Sequence, residues 1–189
     1  MNEINLVNAP AQFATARCML RKSELAMVDD RVAWALRTSA MFEFTPNWRR
    51  SIDPALAMRS LRSEMDAMAR GEELIYNAYE SASGAYVGRI DLHTWDFDAP
   101  RCEIGYMADA ANCGRGLLRE SCLALIEWAL SQGVARVQAL CDANNHRSIA
   151  FAQSLGMQQE GVMRNYGRNG SGELYDEVVL AMVRDPEAN

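Results

Sequence analysis

Residues 102–120 read CEIGYMADAANCGRGLLRE. An alternating apolar segment ends there, a short loop carries Gly114 and Gly116, and a helix-period apolar segment begins at Leu117. Glycine accepts positive φ and lets the backbone come close to a ligand. The first turn of a helix offers unpaired N–H groups and the positive end of its dipole, which suits an anion such as a pyrophosphate. An ordinary tight strand–helix connection uses the same glycines, so the loop alone does not decide. Other phosphate loops are excluded. No GxxxxGK[ST] occurs, and Arg119 stands where a dinucleotide fingerprint needs its third glycine. Metal chemistry is not suggested either: the five cysteines form no CxxC, and His93 and His146 are the two histidines. There is no GxSxG nucleophile elbow.

The string EIGYMADAANCGRGLLRE, followed by NNHRSIAFAQSLGMQQEG from Asn144, resembles the GNAT superfamily of acyl-CoA-dependent N-acyltransferases. It is most similar to the branch of ribosomal-protein N-terminal acetyltransferases. The likeness runs over about residues 13–183, and GELYDEVVLAM resembles that branch's closing hairpin. The resemblance implies acetyl-CoA as co-substrate, no metal, and direct attack by an amine in a ternary complex. It implies that backbone groups of Met107 and Ala108 hold the pantetheine arm. Cys113, Gly114, Arg115, Gly116 and Leu117 would hold the pyrophosphate, and Asn145 would bond the pantetheine or acetyl region. Two positions depart from the family pattern. Ala111 stands where Gln or Arg usually opens the motif, so Arg115 or Arg119 would have to replace that phosphate contact. Ala152 stands where many members carry a Tyr general acid.

Acyl transfer from a thioester needs a neutral amine, hence a base, and a donor to the departing sulfur. Charge developing on the carbonyl oxygen needs an N–H, expected from the backbone near Met107. Glu103 is the candidate base; a carboxylate satisfied by a neighbouring strand or Arg101 is the competing reading. Ser148 is the candidate sulfur donor, against a helix-capping hydroxyl on the Asn145 turn. Tyr166 is a reserve acid, and His93 a shuttle if it is not an idle strand residue; His146 reads as surface. For the acceptor pocket the candidates are Phe42, Phe44, Trp48 and Trp95, with Glu43, Glu173 and Asp176 attracting a cation. A protein N-terminus, a small amine (amino acid, polyamine or antibiotic), and a non-catalytic acyl-CoA sensor all remain open.

The elements needed to position these groups follow from periodicity. A strand is expected at 15–21. A helix at 24–40 has Ser23 as N-cap and Leu25, Val28, Val32 and Leu36 inside. A second helix at 55–70, behind Pro54, has Leu56, Leu61, Met65 and Met68 inside and ends at Gly71; its methionines leave a homodimer contact open. Strands at 74–80, 86–95 and 102–108 precede a helix at 117–131. A strand at 134–141, a helix at 147–154 and a hairpin of 157–168 with 173–183 close the chain. The fold class is α/β: one domain, with a mixed, mostly antiparallel twisted sheet and flanking helices. The strands on either side of the ANCGRG helix should be parallel, in a right-handed crossover.

Composition agrees. With 189 residues, 49% of them apolar, the chain has a core's worth of hydrophobic side chains for one domain. No run approaches the roughly 20 apolar residues of a membrane span, and the first residues lack a signal-peptide pattern, so a cytoplasmic location is expected. The net charge of −6 with no basic cluster argues against nucleic acid and suits a cationic acceptor.

Overall fold

The computed structural model describes residues 6–45, 50–169 and 172–184. Eight strands form one sheet in the order β1-β2-β3-β4-β5-β6-β8-β7. In chain order these are β1 (Gln12–Ala14), β2 (Cys18–Lys22), β3 (Leu74–Glu80), β4 (Tyr86–Asp96), β5 (Arg101–Ala108), β6 (Arg136–Asp142), β7 (Gln158–Arg168) and β8 (Leu174–Val183). Four helices cover it: α1 (Val28–Thr38), α2 (Pro54–Ala69), α3 (Leu117–Ser131) and α4 (His146–Ser154). Every strand pair is antiparallel except β5 with β6, the pair flanking α3. The expected mixed α/β sheet and its parallel step are both present.

Period two in β4 and β5 sorts the side chains onto two faces. Ile90, Leu92, Cys102 and Ile104 join Leu117, Cys122, Leu125, Ile126 and Ala129 of α3 in the main core. Fully burying a leucine such as Leu125 contributes roughly 1.5–3 kcal/mol. Arg89, Asp91, Glu103 and Gly105 alternate with these residues and face the opposite way. That second face is covered by α1 and α2 through a smaller cluster built on Trp34, Phe42, Leu61, Tyr79 and Tyr86. Strand β3 is central and buried along almost its whole length.

α2 follows the expected rules. Pro54 occupies its first turn, Asp53 Oδ1 accepts from Ala55 N (2.7 Å) and Leu56 N (3.2 Å), and Gly71 closes it at φ +69°. α1 departs from them. Ser23 does not cap a helix: it is buried, and its Oγ donates to Glu64 Oε2 at 2.5 Å. A 3-10 turn at Leu25–Met27 precedes the α-helix. The inward face carries Arg31, Trp34, Ala35 and Thr38, while Leu36 is 55% exposed. Met65 of α2 is also exposed, and Glu64 points in beside Leu61 and Met68. Both shifts have one cause. Arg31 and Glu64 pair inside the protein (NH1 to Oε1, 2.8 Å; NH2 to Oε2, 3.0 Å), so the buried stripe includes charges that an apolar count places outside. Arg89 Nε adds a bond to Glu64 Oε1 at 3.2 Å.

Candidate active site

The parallel pairing of β5 with β6 covers Arg101↔Arg136, Cys102↔Val137 and Glu103↔Gln138 and then stops. Both strands continue, to Ala108 and Asp142, so they splay and leave a gap through the sheet. Asp109 N donates to Val87 O (2.8 Å), and Ala108 O accepts from Trp34 Nε1 (3.1 Å) rather than from β4. By antiparallel alternation, the amides of Ala108 and Tyr106 point toward the gap. A cleft of about 2260 Å³ surrounds it. That exceeds the 300–1,000 Å³ of a typical small-molecule pocket and gives room for a long ligand and a second reactant together.

At one end of the cleft lies the glycine loop. Asp109, fully buried, accepts from Ala111 N (2.8 Å) and from Arg37 NH2 (2.5 Å), which pins the chain as it leaves β5. Gly114 (φ +75°) and Gly116 (φ +73°) then turn it into α3. Gly116 is the N-cap and no side chain caps this helix. The first-turn N–H groups are therefore presented to the cleft, ready for an anion. Cys113, Gly114 and Gly116 line it. Arg115 turns away: its NH1 donates to Asn112 Oδ1 (2.7 Å) and its guanidinium pairs with Glu80. Arg119 lies along the rim, its Nε donating to Ser154 O at 2.7 Å.

Deeper in, α4 begins at Asn145, whose Oδ1 caps it by accepting from Ser148 N (3.1 Å). Ser148 Oγ donates to Tyr106 OH (3.2 Å), and Tyr106 OH donates to Ser148 O (3.0 Å). Cys141 Sγ is 3.2 Å from the same Oγ. Tyr106 packs on Phe151 with ring centroids 4.6 Å apart, and burial pushes its phenol well above the ordinary tyrosine range. The Cys141 thiol is raised by burial as well. This cluster holds protons and donates hydrogen bonds. Across the sheet the cleft lining includes the carboxylates of Glu43, Asp91, Asp142, Glu173 and Glu177, together with Arg89 and Arg168. The Asp91 carboxylate rests on Gly105, where a Cβ would come within 2.7 Å of it, and Arg89 pairs with it.

The GNAT acetyltransferase domain model matches residues 17–158, three-quarters of the chain. The chain belongs to the GNAT acetyltransferase family. The "Uncharacterized N-acetyltransferase p20" of Bacillus licheniformis is 25% identical over 173 residues, 90% of this GNAT chain and 94% of that protein. Among solved structures, the RimL ribosomal L7/L12 alpha-N-protein acetyltransferase in complex with coenzyme A has a TM-score of 0.80 at 19% identity, covering 93% of this chain and 97% of the other. The microcin C7 self-immunity acetyltransferase MccE, in complex with acetyl-CoA and AMP, has a TM-score of 0.81 at 19% identity, with 90% and 94% covered.

In this GNAT fold the positions anticipated from sequence separate into groups. Met107, Ala108, Cys113, Gly114, Gly116, Asn145 and Ser148 line the one cleft. Leu117 is buried beneath it, and Arg115 faces Glu80. Glu103 lies outside the lining, with Oε1 accepting from Gln138 Nε2 at 3.2 Å. Phe44, Glu43 and Glu173 line the same cleft. Phe42 is core, Trp95 stacks on Phe97, Asp176 accepts from Asn165 N, and Tyr166 is exposed. His93 Nε2 sits 3.5 Å from Asp91 Oδ2, and His146 lines the rim. Trp48 lies outside the described residues. Sequence reasoning missed Tyr106, Cys141, Asp91, Asp142 and Glu177. Their signal was the alternation within β4, β5, β6 and β8, legible only once the faces are known.

No helix among the described residues is long and apolar enough to cross a membrane. None of their His, Cys, Asp and Glu side chains form a group of three that could hold a metal ion.

Proposed function

We propose that this GNAT chain transfers the acetyl group of acetyl-CoA to a primary amine by direct attack. The observation that carries the reading is the splayed β5–β6 gap, with an uncapped helix start at one end and a Ser148–Tyr106 donor pair at its base. The pyrophosphate would lie on the amides of Cys113 to Leu117, with Arg119 in the role that Ala111 leaves vacant. The pantetheine would run between the strands on the exposed amides of β5, and an N–H there would receive the charge that develops on the thioester oxygen. Ser148, backed by Tyr106, would donate to the departing sulfur, taking the place of the tyrosine missing at Ala152. The base is a carboxylate of the acidic face, to which Glu103 and Glu177 both belong.

A protein N-terminal amine is the acceptor that the ribosomal-protein neighbours support. A small cationic amine is the second reading, favoured by the acidic residues that line the cleft and by the MccE likeness. Labelled acetyl-CoA offered with N-terminal peptides and with small amines separates the two. Ser148→Ala and Tyr106→Phe should each lower kcat about tenfold or more with little change in acetyl-CoA affinity. Failure to bind coenzyme A at millimolar concentration ends the proposal. Binding without transfer to any amine leaves a sensor.

A further inference from the structure

We propose that Glu177 is the group that takes the proton from the acceptor amine, and that Glu103 and Asp142 tune it. This deepens the acetyltransferase reading and rests on it. In amine attack on a thioester, nitrogen enters and sulfur leaves at different positions around the tetrahedral carbon, so a base and a sulfur donor on opposite sides of the gap suit the reaction. Here the sheet separates them. Ser148, Tyr106 and Cys141 gather on the α4 side of the gap. On β8, Val178 and Leu180 enter the core on the side that α4 covers, which turns Glu177 to the opposite face. There Glu177 lines the cleft, in register with Asp142 of β6, at the level where β5 has splayed away.

Its neighbours suit the task. On β6 it faces Asp142; on β5, the near charge is Glu103, held by Gln138; on β7, its register partner is Met163; along β8, Tyr175 shares its face. Among these, the near charges are negative. Glu177 is half-buried, and burial, followed by the charges of Glu103 and Asp142, raises its carboxyl above the usual carboxylate range. A carboxylate raised in this way is a stronger base at neutral pH than an exposed one. The same negative face attracts an ammonium, the form in which the acceptor arrives.

R–NH3⁺ gives one proton to the Glu177 carboxylate, directly or through one water, leaving R–NH2. Its lone pair forms the C–N bond, and the C–S bond breaks as the tetrahedral intermediate collapses. Ser148 gives its proton to the departing sulfur, and the second proton, which leaves nitrogen as the amide forms, replaces it on Ser148 through water. Glu177 then returns its proton to solvent, so each turnover yields amide, coenzyme A thiol and one released proton.

Variants read by kcat and kcat/KM against pH test the assignment, with acetyl-CoA affinity measured separately. Glu177→Gln should lower kcat a hundredfold or more, within the range for loss of a general base, while acetyl-CoA affinity changes less than about twofold. Glu177→Asp should recover part of the rate, which guards against a folding defect in the amide variant. Glu103→Gln should cost far less and should move the acid limb of kcat/KM to lower pH, because it removes one neighbouring negative charge. A Glu177→Gln variant within threefold of the parent, or a Glu103→Gln variant that loses rate without moving the limb, overturns the assignment. A parent chain that acetylates no amine overturns the acetyltransferase reading instead, before any variant is made.

Discussion

The most constrained single residue is Glu64. It is buried on α2 with Arg31, Arg89 and Ser23 all bonded to its carboxylate. Burial alone would raise its pKa, but the charges of Arg89 and Arg31 win and bring it to about 2 from 4.5. A carboxyl depressed in the folded state stabilises above its unfolded pKa, and that stability disappears as pH falls through the folded value. This site should therefore contribute fully at neutral pH and lose about 3 kcal/mol between roughly pH 5 and pH 2. Glu64→Gln should lower stability at pH 7 by about 3–5 kcal/mol, since it removes the carboxylate that buried Arg31 holds in two bonds and that Arg89 shares. It should also flatten the acid slope of denaturant-measured stability, and an unchanged slope would refute the account. This residue explains the largest misreading from sequence. Arg31 and Glu64 lie inside because they neutralise each other, and their pairing spans 33 positions of chain. A local pattern of polar and apolar types sees each charge alone and assigns it to solvent.

At the scale of elements, α3 has the bounds that glycine and apolar period gave it, and the strands around it lie within two residues of theirs. The reason is that local rules and packing agree there: Gly116 must adopt positive φ, and the apolar stripe of α3 meets a purely apolar sheet face. α4 was legible as a helix, but the work of its cap was not. Asn145 spends its Oδ1 on Ser148 N and so fixes the turn from which Ser148 reaches Tyr106. Replacing Asn145 with Ala should cost about 1 kcal/mol of stability, as for other lost N-caps. It should also lower kcat through a misplaced Ser148, whereas Asn145→Asp, which keeps an accepting oxygen, should restore stability and most of the rate. A calorimetric melt together with steady-state kinetics checks both halves. A rate unaffected by Asn145→Ala would mean that Ser148 does not depend on the cap. The carboxylates of the cleft were less legible, because Asp91, Asp142 and Glu177 come from the polar positions of three different strands. Which face those positions take depends on which side α3 and α4 choose, and that is a tertiary outcome.

At the scale of the whole molecule, the sheet separates an apolar core under α3 and α4 from a mixed, partly charged one under α1 and α2, and the β5–β6 gap connects the two sides. A ligand seated from the glycine loop into that gap touches elements that otherwise meet only at its edges. Arg119 marks the seam: it stands on the first turn of α3 and bonds Ser154 O at the last turn of α4. A cation there is favoured by the C-terminal end of the α4 dipole and lies close to the uncapped α3 amides. Binding that favours the folded state by mass action should stabilise the protein by about 2.7 kcal/mol at a hundredfold excess of acetyl-CoA over Kd. Arg119→Ala should weaken acetyl-CoA binding about tenfold, the loss of one charge-assisted bond, and reduce that stabilisation accordingly. Arg115→Ala should leave affinity nearly unchanged, because its guanidinium is engaged by Glu80 and Asn112 away from the cleft. Titration calorimetry on both variants distinguishes them. If Arg115→Ala is the weaker binder, the loop must turn its guanidinium inward when ligand arrives, and Arg119 belongs to the α3–α4 seam alone.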